Sequence, residues 1–379
     1  MPPPSSRRTS GHRLVRLFGI DVQFHLSWII ILVLIAVTLA SFFGQLNPHW
    51  SRAAILLAAA VTTILFFVSV VLHELAHSLV ARAHGLPVRV ITLFVFGGIS
   101  ELSREPDDAR SEFRIAVAGP AMSLILGGVF YAWGRTGNPH VPLYAVLEWL
   151  GYINLLLALF NLIPGFPLDG GRVLRAILWS ANHDFVKSTR WATQAGKLCA
   201  MVFILWGVLQ FFGGRSLDGL WLAFIGWFLL SAAEQSWRQT EVMTALGHYT
   251  VRDLETPFFS RVPPDADLEL FISELANQHQ FRASLVMDQD DRLLGIITAA
   301  DLSRVARAQW GATRVRDVMV PRADMATVLP TEGLASALQK MAEHNVGQLP
   351  VLADGGVRGV IRRDRIIQLL HTTLAGGNS

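Results

Sequence analysis

His73-Glu74-Leu75-Ala76-His77 sets two imidazoles four residues apart, with a carboxylate beside the first. On a helix of about 3.6 residues per turn, positions i and i+4 are offset by only about 40 degrees, so both rings reach one metal ion. Glu74, one residue round from His73, lies beside a water in the ion's open position and takes its proton, which is the work a zinc hydrolase needs done. A catalytic zinc site takes three protein ligands, so a third must come from elsewhere. His84, Glu101, Asp169 and His183 are the candidates. His84 sits where Gly85-Leu86-Pro87 ends the helix, and Glu101 lies in a charged loop among other acids. Asp169 is preferred. It falls in Asn161-Leu162-Ile163-Pro164-Gly165-Phe166-Pro167-Leu168-Asp169-Gly170-Gly171, where prolines and glycines break a helix at a membrane boundary, and non-helical backbone at that depth needs a cavity.

The elements that must position these residues are largely apolar. The 379 residues are 52% hydrophobic and 16% charged, with a mean hydropathy of +0.41, beyond the apolar share of an ordinary soluble domain. Almost all the long apolar runs fall before residue 236, and the remainder of the chain alternates charged and apolar residues like a soluble domain. Six spans of roughly 20 residues can be drawn, near 25 to 43, 53 to 82, 113 to 134, 144 to 163, 196 to 212 and 217 to 234. The His-Glu motif therefore lies inside a membrane helix, where ionisable side chains cost on the order of several kcal/mol unless paired, hydrated or bound to metal. That cost excludes the reading of the motif as an ordinary solvated helix face.

Charge sets the orientation. The loops at 44 to 52 and 135 to 143 contain only Arg52 and Arg135, whereas Arg172, Arg175, Lys187, Arg190 and Lys197 come after the fourth span, so both termini are expected in the cytoplasm. Spans two and four then end on the same side, which puts Asp169 and the histidine pair at similar depth. The basic N-terminus, with Arg7, Arg8, Arg13 and Arg16, precedes an apolar run with no small-residue cleavage site after it, and is expected to be an uncleaved anchor. The net charge of +3 comes from such clusters beside apolar runs, which argues for topology signals and against a nucleic-acid partner. Cys199, the single cysteine, excludes an intrachain disulfide and a multi-thiolate metal site.

Between spans two and three, Val88 to Glu101 is rich in β-branched and aromatic residues, has a Gly97-Gly98 break and is too short to cross a membrane. A strand or hairpin is expected, with an interfacial loop as the alternative. The C-terminal region repeats with a period of about 60 residues. Leu293 to Asp301 matches Val357 to Asp364; each comes after an apolar strand, Ala283 to Met287 and Leu349 to Leu352, and a helix-like segment, Leu268 to Gln278 and Gly333 to His344. Two βαββα-like modules packed as one unit are expected.

Taken together, these residues resemble the site-2 protease family of intramembrane zinc metalloproteases, in the branch with a C-terminal pair of cystathionine-β-synthase (CBS) domains, over nearly the whole chain. The resemblance rests on His73, Glu74, His77, Asn161, Pro164, Asp169 and Gly170, with Phe96-Gly97-Gly98 and Ala118-Gly119-Pro120 as further elements. Ser123 stands where the family commonly has Asn. The implied fold is a polytopic α-helical membrane protein of about six spans with a short membrane-associated β-hairpin, and after it a cytoplasmic α/β CBS-domain pair. The implied boundaries are a disordered basic N-terminus at 1–12, a metalloprotease domain at 13–236, a linker at 237–248, CBS domains at 249–309 and 310–373, and a tail at 374–379.

The resemblance further implies one zinc per subunit on His73, His77 and Asp169, Glu74 as the catalytic group, and cleavage of a single-span membrane protein already shortened by another protease. The unwound substrate would add to the strand edge around Phe96, Gly97 and Gly98. Asn161 either donates its amide to the oxyanion or partners backbone freed at the helix end, and both readings stand. The CBS pair implies an adenine nucleotide, ATP or AMP, at Thr298, Asp301 and Asp364, although Arg362 replaces the hydroxyl residue of the second module. A structural or homodimerising role, with Asp301 capping the next helix, is the alternative. A CBS-gated transporter would show inverted repeats, which are not seen. An inactive scaffold would lack Glu74 or a ligand, and a different metalloprotease with the same helix would take its third ligand from a downstream Glu.

Overall fold

Among the described residues six helices are long and apolar enough to cross a membrane, the number drawn from the sequence. The structure is a computed structural model describing residues 12–24, 26–94, 97–102, 105–214, 216–269, 271–272, 283–303, 305–353 and 355–376. The chain divides into two units, Met1–Arg238 and Gln239–Ser379. In the first, α1 (Ser27–Leu46), α2 (Arg52–Ala83), α3 (Ala109–Gly134) and α4 (Pro142–Asn161) precede the shorter α5 (Asp169–Asn182), then α6 (Phe185–Phe212) and α7 (Ser216–Gly247), whose residues from 239 onward are counted in the second unit. Large apolar side chains such as Ile30, Leu57, Leu205 and Trp221 stand exposed on these helices, as lipid-facing surfaces require. Helix α6 begins at Phe185 rather than near 196, because Asp184 caps it by accepting the Lys187 N–H at 2.9 Å.

The expected hairpin is present as β3 (Val88–Phe94) and β4 (Gly97–Leu102), paired antiparallel with Thr92 opposite Ile99 and Leu93 opposite Gly98. It belongs to a larger sheet. An N-terminal hairpin, β1 (His12–Leu17) and β2 (Ile20–Phe24), extends it in the order β1-β2-β3-β4, with β2 parallel to β3. The two-residue turn between β1 and β2 has positive φ at both Phe18 and Gly19, which suits the twist of a hairpin but gives no sequence signal at a phenylalanine. Ile20, Val88 and Ile91 on the sheet bury against Leu75 and Ala81 of α2 and Ile115 of α3. The sheet thereby grips the turns of α2 that carry the histidines.

Helices α3 and α4 pack closely through small residues: a Cβ on Gly127 would meet the Leu155 backbone, and one on Gly151 the Tyr131 backbone. Helix α5 does not cross the membrane and is pinned by charge instead. Arg175 reads in the sequence as a topology signal, yet its side chain is only 3% exposed. Its guanidinium donates from Nε to Glu112 Oε1 of α3 at 2.6 Å and from Nη2 to Glu105 Oε2 at 3.0 Å, between the rings of Phe166 and Phe185 at 5.0 and 4.5 Å.

In the second unit, β5 (Arg261–Val262), β6 (Ala283–Met287), β7 (Leu293–Thr298) and β8 (Val320–Pro321) form one sheet, and β9 (Gln348–Ala353) pairs with β10 (Gly356–Arg362). Helices α8 (Ala299–Leu302), α9 (Val315–Val318), α10 (Leu334–Glu343) and α11 (Arg363–Gly376) complete it. Leu285 and Ile296 of the first module share a core with Leu352 and Val360 of the second. The helix expected at Gly333 to His344 is α10, whereas most of Leu268 to Gln278 lies outside the described residues, as do residues 1–11.

Breaking a buried ion pair by removing one partner costs roughly 3–5 kcal/mol, because the other charge is left uncompensated. Arg175→Met is expected to lower the unfolding free energy of the detergent-solubilised protein by about that amount. Adding Glu112→Leu should restore part of it, and equal denaturation curves for the unmodified and Arg175→Met proteins would refute the assignment.

Candidate metal centre

The inner face of α2 carries a buried polar stripe, Thr62, Ser69, His73 and His77, at spacings that keep all four on one side of a helix. Thr62 and Ser69 donate to the carbonyls of Ala58 and Leu65 at 2.7 and 3.0 Å, and Asn154 of α4 donates to Ser69 Oγ at 3.3 Å. At 1.5 Å per residue, His73 lies about 15 Å from the C-terminal end of α2, within the thickness of a bilayer leaflet.

Asp169 is brought to the histidines by the break after α4. Residues 162–168 form a tight turn with a cis Phe166–Pro167 bond, whose polar backbone is satisfied locally by Gly165 N–H to Ile163 O at 2.8 Å and Leu168 N–H to Gly165 O at 3.1 Å. Phe166 N–H also donates to Ala192 O of α6 at 3.3 Å. Asp169 then opens α5, its Oδ2 atom 3.2 Å from His73 Nε2 and 3.1 Å from His77 Nε2, with the two Nε2 atoms 3.2 Å apart. Among the described residues, Asp169 is the candidate third ligand that joins the pair. His84 donates Nδ1–H to Val80 O at 2.8 Å, His183 caps the far end of α5, and Glu101 belongs to β4.

The second nitrogen of each ring decides what this cluster can bind. His77 Nδ1 lies 2.6 Å from the Ile115 carbonyl, which can only accept, so Nδ1 carries a proton, and in the neutral ring Nε2 then presents a lone pair. His73 Nδ1 lies 2.9 Å from Ser123 Oγ, and donation there leaves its Nε2 in the same state. With both rings neutral, three acceptors converge with no proton among them. A cation fits that set: atoms 3.1–3.2 Å apart can all lie about 2.0–2.1 Å from one centre, at nearly tetrahedral angles. Gly119 completes the fit, since a Cβ there would overlap both imidazoles.

Glu74 makes no hydrogen bond or ion pair among the described residues. Asn161, half-buried at the end of α4, also has a free side-chain amide among the described residues, so it does not partner the helix-end backbone. Gly97 and Gly98 lie in β4, and Phe96 is outside the described residues. Sequence reasoning missed Ser123 and the Ile115 carbonyl as supports of the ring orientation; the signal for Ser123 was its place one turn beyond Gly119-Pro120.

In the C-terminal unit, Asp301 Oδ2 accepts from the Thr298 N–H at 3.0 Å and from Thr298 Oγ1 at 2.6 Å, and its side chain is buried. Asp364 is exposed and forked by Arg362 at 3.1 and 2.6 Å. The capping reading of Asp301 therefore has a direct geometric counterpart.

The family model of peptidase family M50 matches residues 61–139 and 138–205, and that of the CBS domain matches 251–308 and 315–372. The Synechocystis sp. protein sll0528 is 34% identical over 365 residues, covering 96% of this chain and 96% of its own. The zinc metalloprotease MJ0392 of Methanocaldococcus jannaschii is 32% identical over 358 residues, covering 94% and 95%. A solved site-2 protease from the same organism is 35% identical and covers 60% of this chain and 95% of its own, with a TM-score of 0.42.

Partners of a metal-bound histidine typically contribute 10–100-fold in metal affinity. Ser123→Ala is expected to weaken zinc binding by roughly that factor in chelator competition, and Gly119→Val to abolish it by displacing both rings. Unchanged affinity in both variants would mean that the cluster is not the metal site.

Proposed function

The chain belongs to peptidase family M50, the site-2 protease family of multi-pass membrane zinc metalloproteases, and from that premise we propose that it cleaves membrane-anchored substrates within or near their transmembrane helix. His73, His77 and Asp169 hold the zinc, and Glu74 is the catalytic base. The observation that carries this reading is the convergence of three metal-ligating atoms from α2 and α5 beside a Glu74 carboxylate that has no partner among the described residues.

Zinc, when bound, supplies Lewis acidity toward water and toward a carbonyl oxygen. The Glu74 carboxylate removes a proton from the attacking water and returns it to the departing amine nitrogen. Asn161 donates its amide N–H to the oxygen that becomes negative at the scissile carbonyl. Ser123 and the Ile115 carbonyl hold the two rings in the required tautomer.

A transmembrane helix hides its carbonyls in its own hydrogen bonds, so the substrate must be extended before it is cut. Strand β4 is at the end of its sheet, and among the described residues no strand pairs with its outer edge. An unwound segment adds there, along Phe96, Gly97 and Gly98, by main-chain pairing. The substrate is a single-span protein first shortened by another protease, and the excess of Arg and Lys after span four supports cytoplasmic termini.

The domain limits proposed from the sequence, 13–236, 249–309 and 310–373, are retained. An adenine nucleotide binds the CBS pair through Thr298 and Asp301, while Arg362, in place of a hydroxyl in the second module, either weakens the site at Asp364 or favours a phosphate contact there.

Glu74→Gln is expected to keep its zinc and lose roughly 10²–10⁴-fold in cleavage of a model transmembrane peptide, whereas Asp169→Ala loses the metal itself. A purified Glu74→Gln enzyme that cuts as fast as the unmodified one would remove Glu74 from the mechanism. Calorimetric titration of the full chain with AMP and ATP should show saturable binding that Asp301→Ala weakens; no binding heat in the unmodified chain would leave Asp301 a capping residue only.

A further inference from the structure

A cavity of about 340 Å³ lies between the first turns of α3 and the middle of α5, away from the metal ligands. Arg110, Phe113 and Arg114 line it from α3, and Ala176, Ile177 and Ser180 from α5. Its volume is within the range of small-molecule sites, roughly 300–1,000 Å³. Because α3 is a membrane span that starts at Ala109, its first turns lie where acyl chains give way to headgroups.

The two arginines of the cavity differ from Arg175 of α5. Arg175 is neutralised by Glu112 and Glu105, whereas neither Arg110 nor Arg114 meets a carboxylate among the described residues. Four residues apart, they share one face of α3, both exposed. Among the described residues Arg114 reaches only His84 Nε2, at 3.5 Å. Beside them, Phe113 and Ile177 leave 41% and 53% of their surface uncovered. Two unpaired guanidiniums next to an apolar floor match one class of molecule. Free phosphate would use the arginines and leave the floor wet, and a zwitterionic lipid would cover the floor but gain less at the arginines.

We propose that this cavity binds an anionic glycerophospholipid, its phosphodiester between Arg110 and Arg114 and one acyl chain on Phe113 and Ile177. Guanidiniums suit phosphate oxygens through paired N–H donors, and apolar side chains at this depth suit methylene groups. The bound lipid would touch α3 and α5 together, about two turns along α5 from Asp169.

The test titrates phosphatidylglycerol, phosphatidylcholine or inorganic phosphate onto the delipidated full-length protein and counts bound molecules by native mass spectrometry. The unmodified protein is expected to retain phosphatidylglycerol over phosphatidylcholine. Each basic residue near the surface is worth about five-fold, so Arg110→Gln with Arg114→Gln should weaken retention roughly 30-fold. Phe113→Ser with Ile177→Ser should weaken it with both charges intact, and unchanged zinc content reports that the variants are folded. Equal retention of phosphatidylglycerol by the arginine double variant, or of phosphatidylcholine by the unmodified protein, would overturn the proposal. Competition by inorganic phosphate as effective as that of the lipid would reduce the site to a free-phosphate site and overturn it equally.

Discussion

Two imidazole nitrogens and a carboxylate oxygen lie within 3.2 Å of one another inside a membrane domain, and with both rings neutral no proton separates them. Lone pairs at that distance repel, and in a low-dielectric interior the repulsion is poorly screened. A cation at their centre removes that repulsion. The rest of the membrane unit is best understood as the frame that keeps these three groups together and leaves one further position for reactants.

The two helices involved are held by different means. Helix α2 is long, apolar and buried on one side, and its histidine-bearing turns are gripped by the sheet through Ile20, Val88 and Ile91. Helix α5 has no crossing to anchor it. Its register depends on the turn at 162–168, the hydrogen bond from Phe166 to Ala192 of α6, and the buried Arg175 held by Glu112. A dehydrated ion pair is directional where apolar packing is not, which suits a helix that must present one carboxylate at one point.

The histidine pair was legible because a period of about 3.6 turns sequence spacing into direction, and because charge inside an apolar run is costly enough to need a reason. Asp169 was legible through topology: two spans ending on one side put distant residues at one depth. Features that depend on pairing across the chain escaped. Glu112 and Arg175 are 63 residues apart, and nothing local tells a buried arginine from one at the membrane surface. Phe18 in a left-handed turn hid the first hairpin, and Ser123 gave no hint of its partner until α2 and α3 were side by side.

Exposure around the centre argues for the direction of approach. The side chains of His73 and His77 are 5% and 8% exposed, while that of Asp169 is 18% exposed. The centre is therefore sealed along α2 and α3, where Gly119 lies against the rings, and more open toward the start of α5. Water needs such an opening, since the lipid-facing sides of the helices are apolar. The break between α4 and α5 thus serves two purposes at once: it places the third ligand, and it supplies the polar, non-helical backbone past which water can reach it.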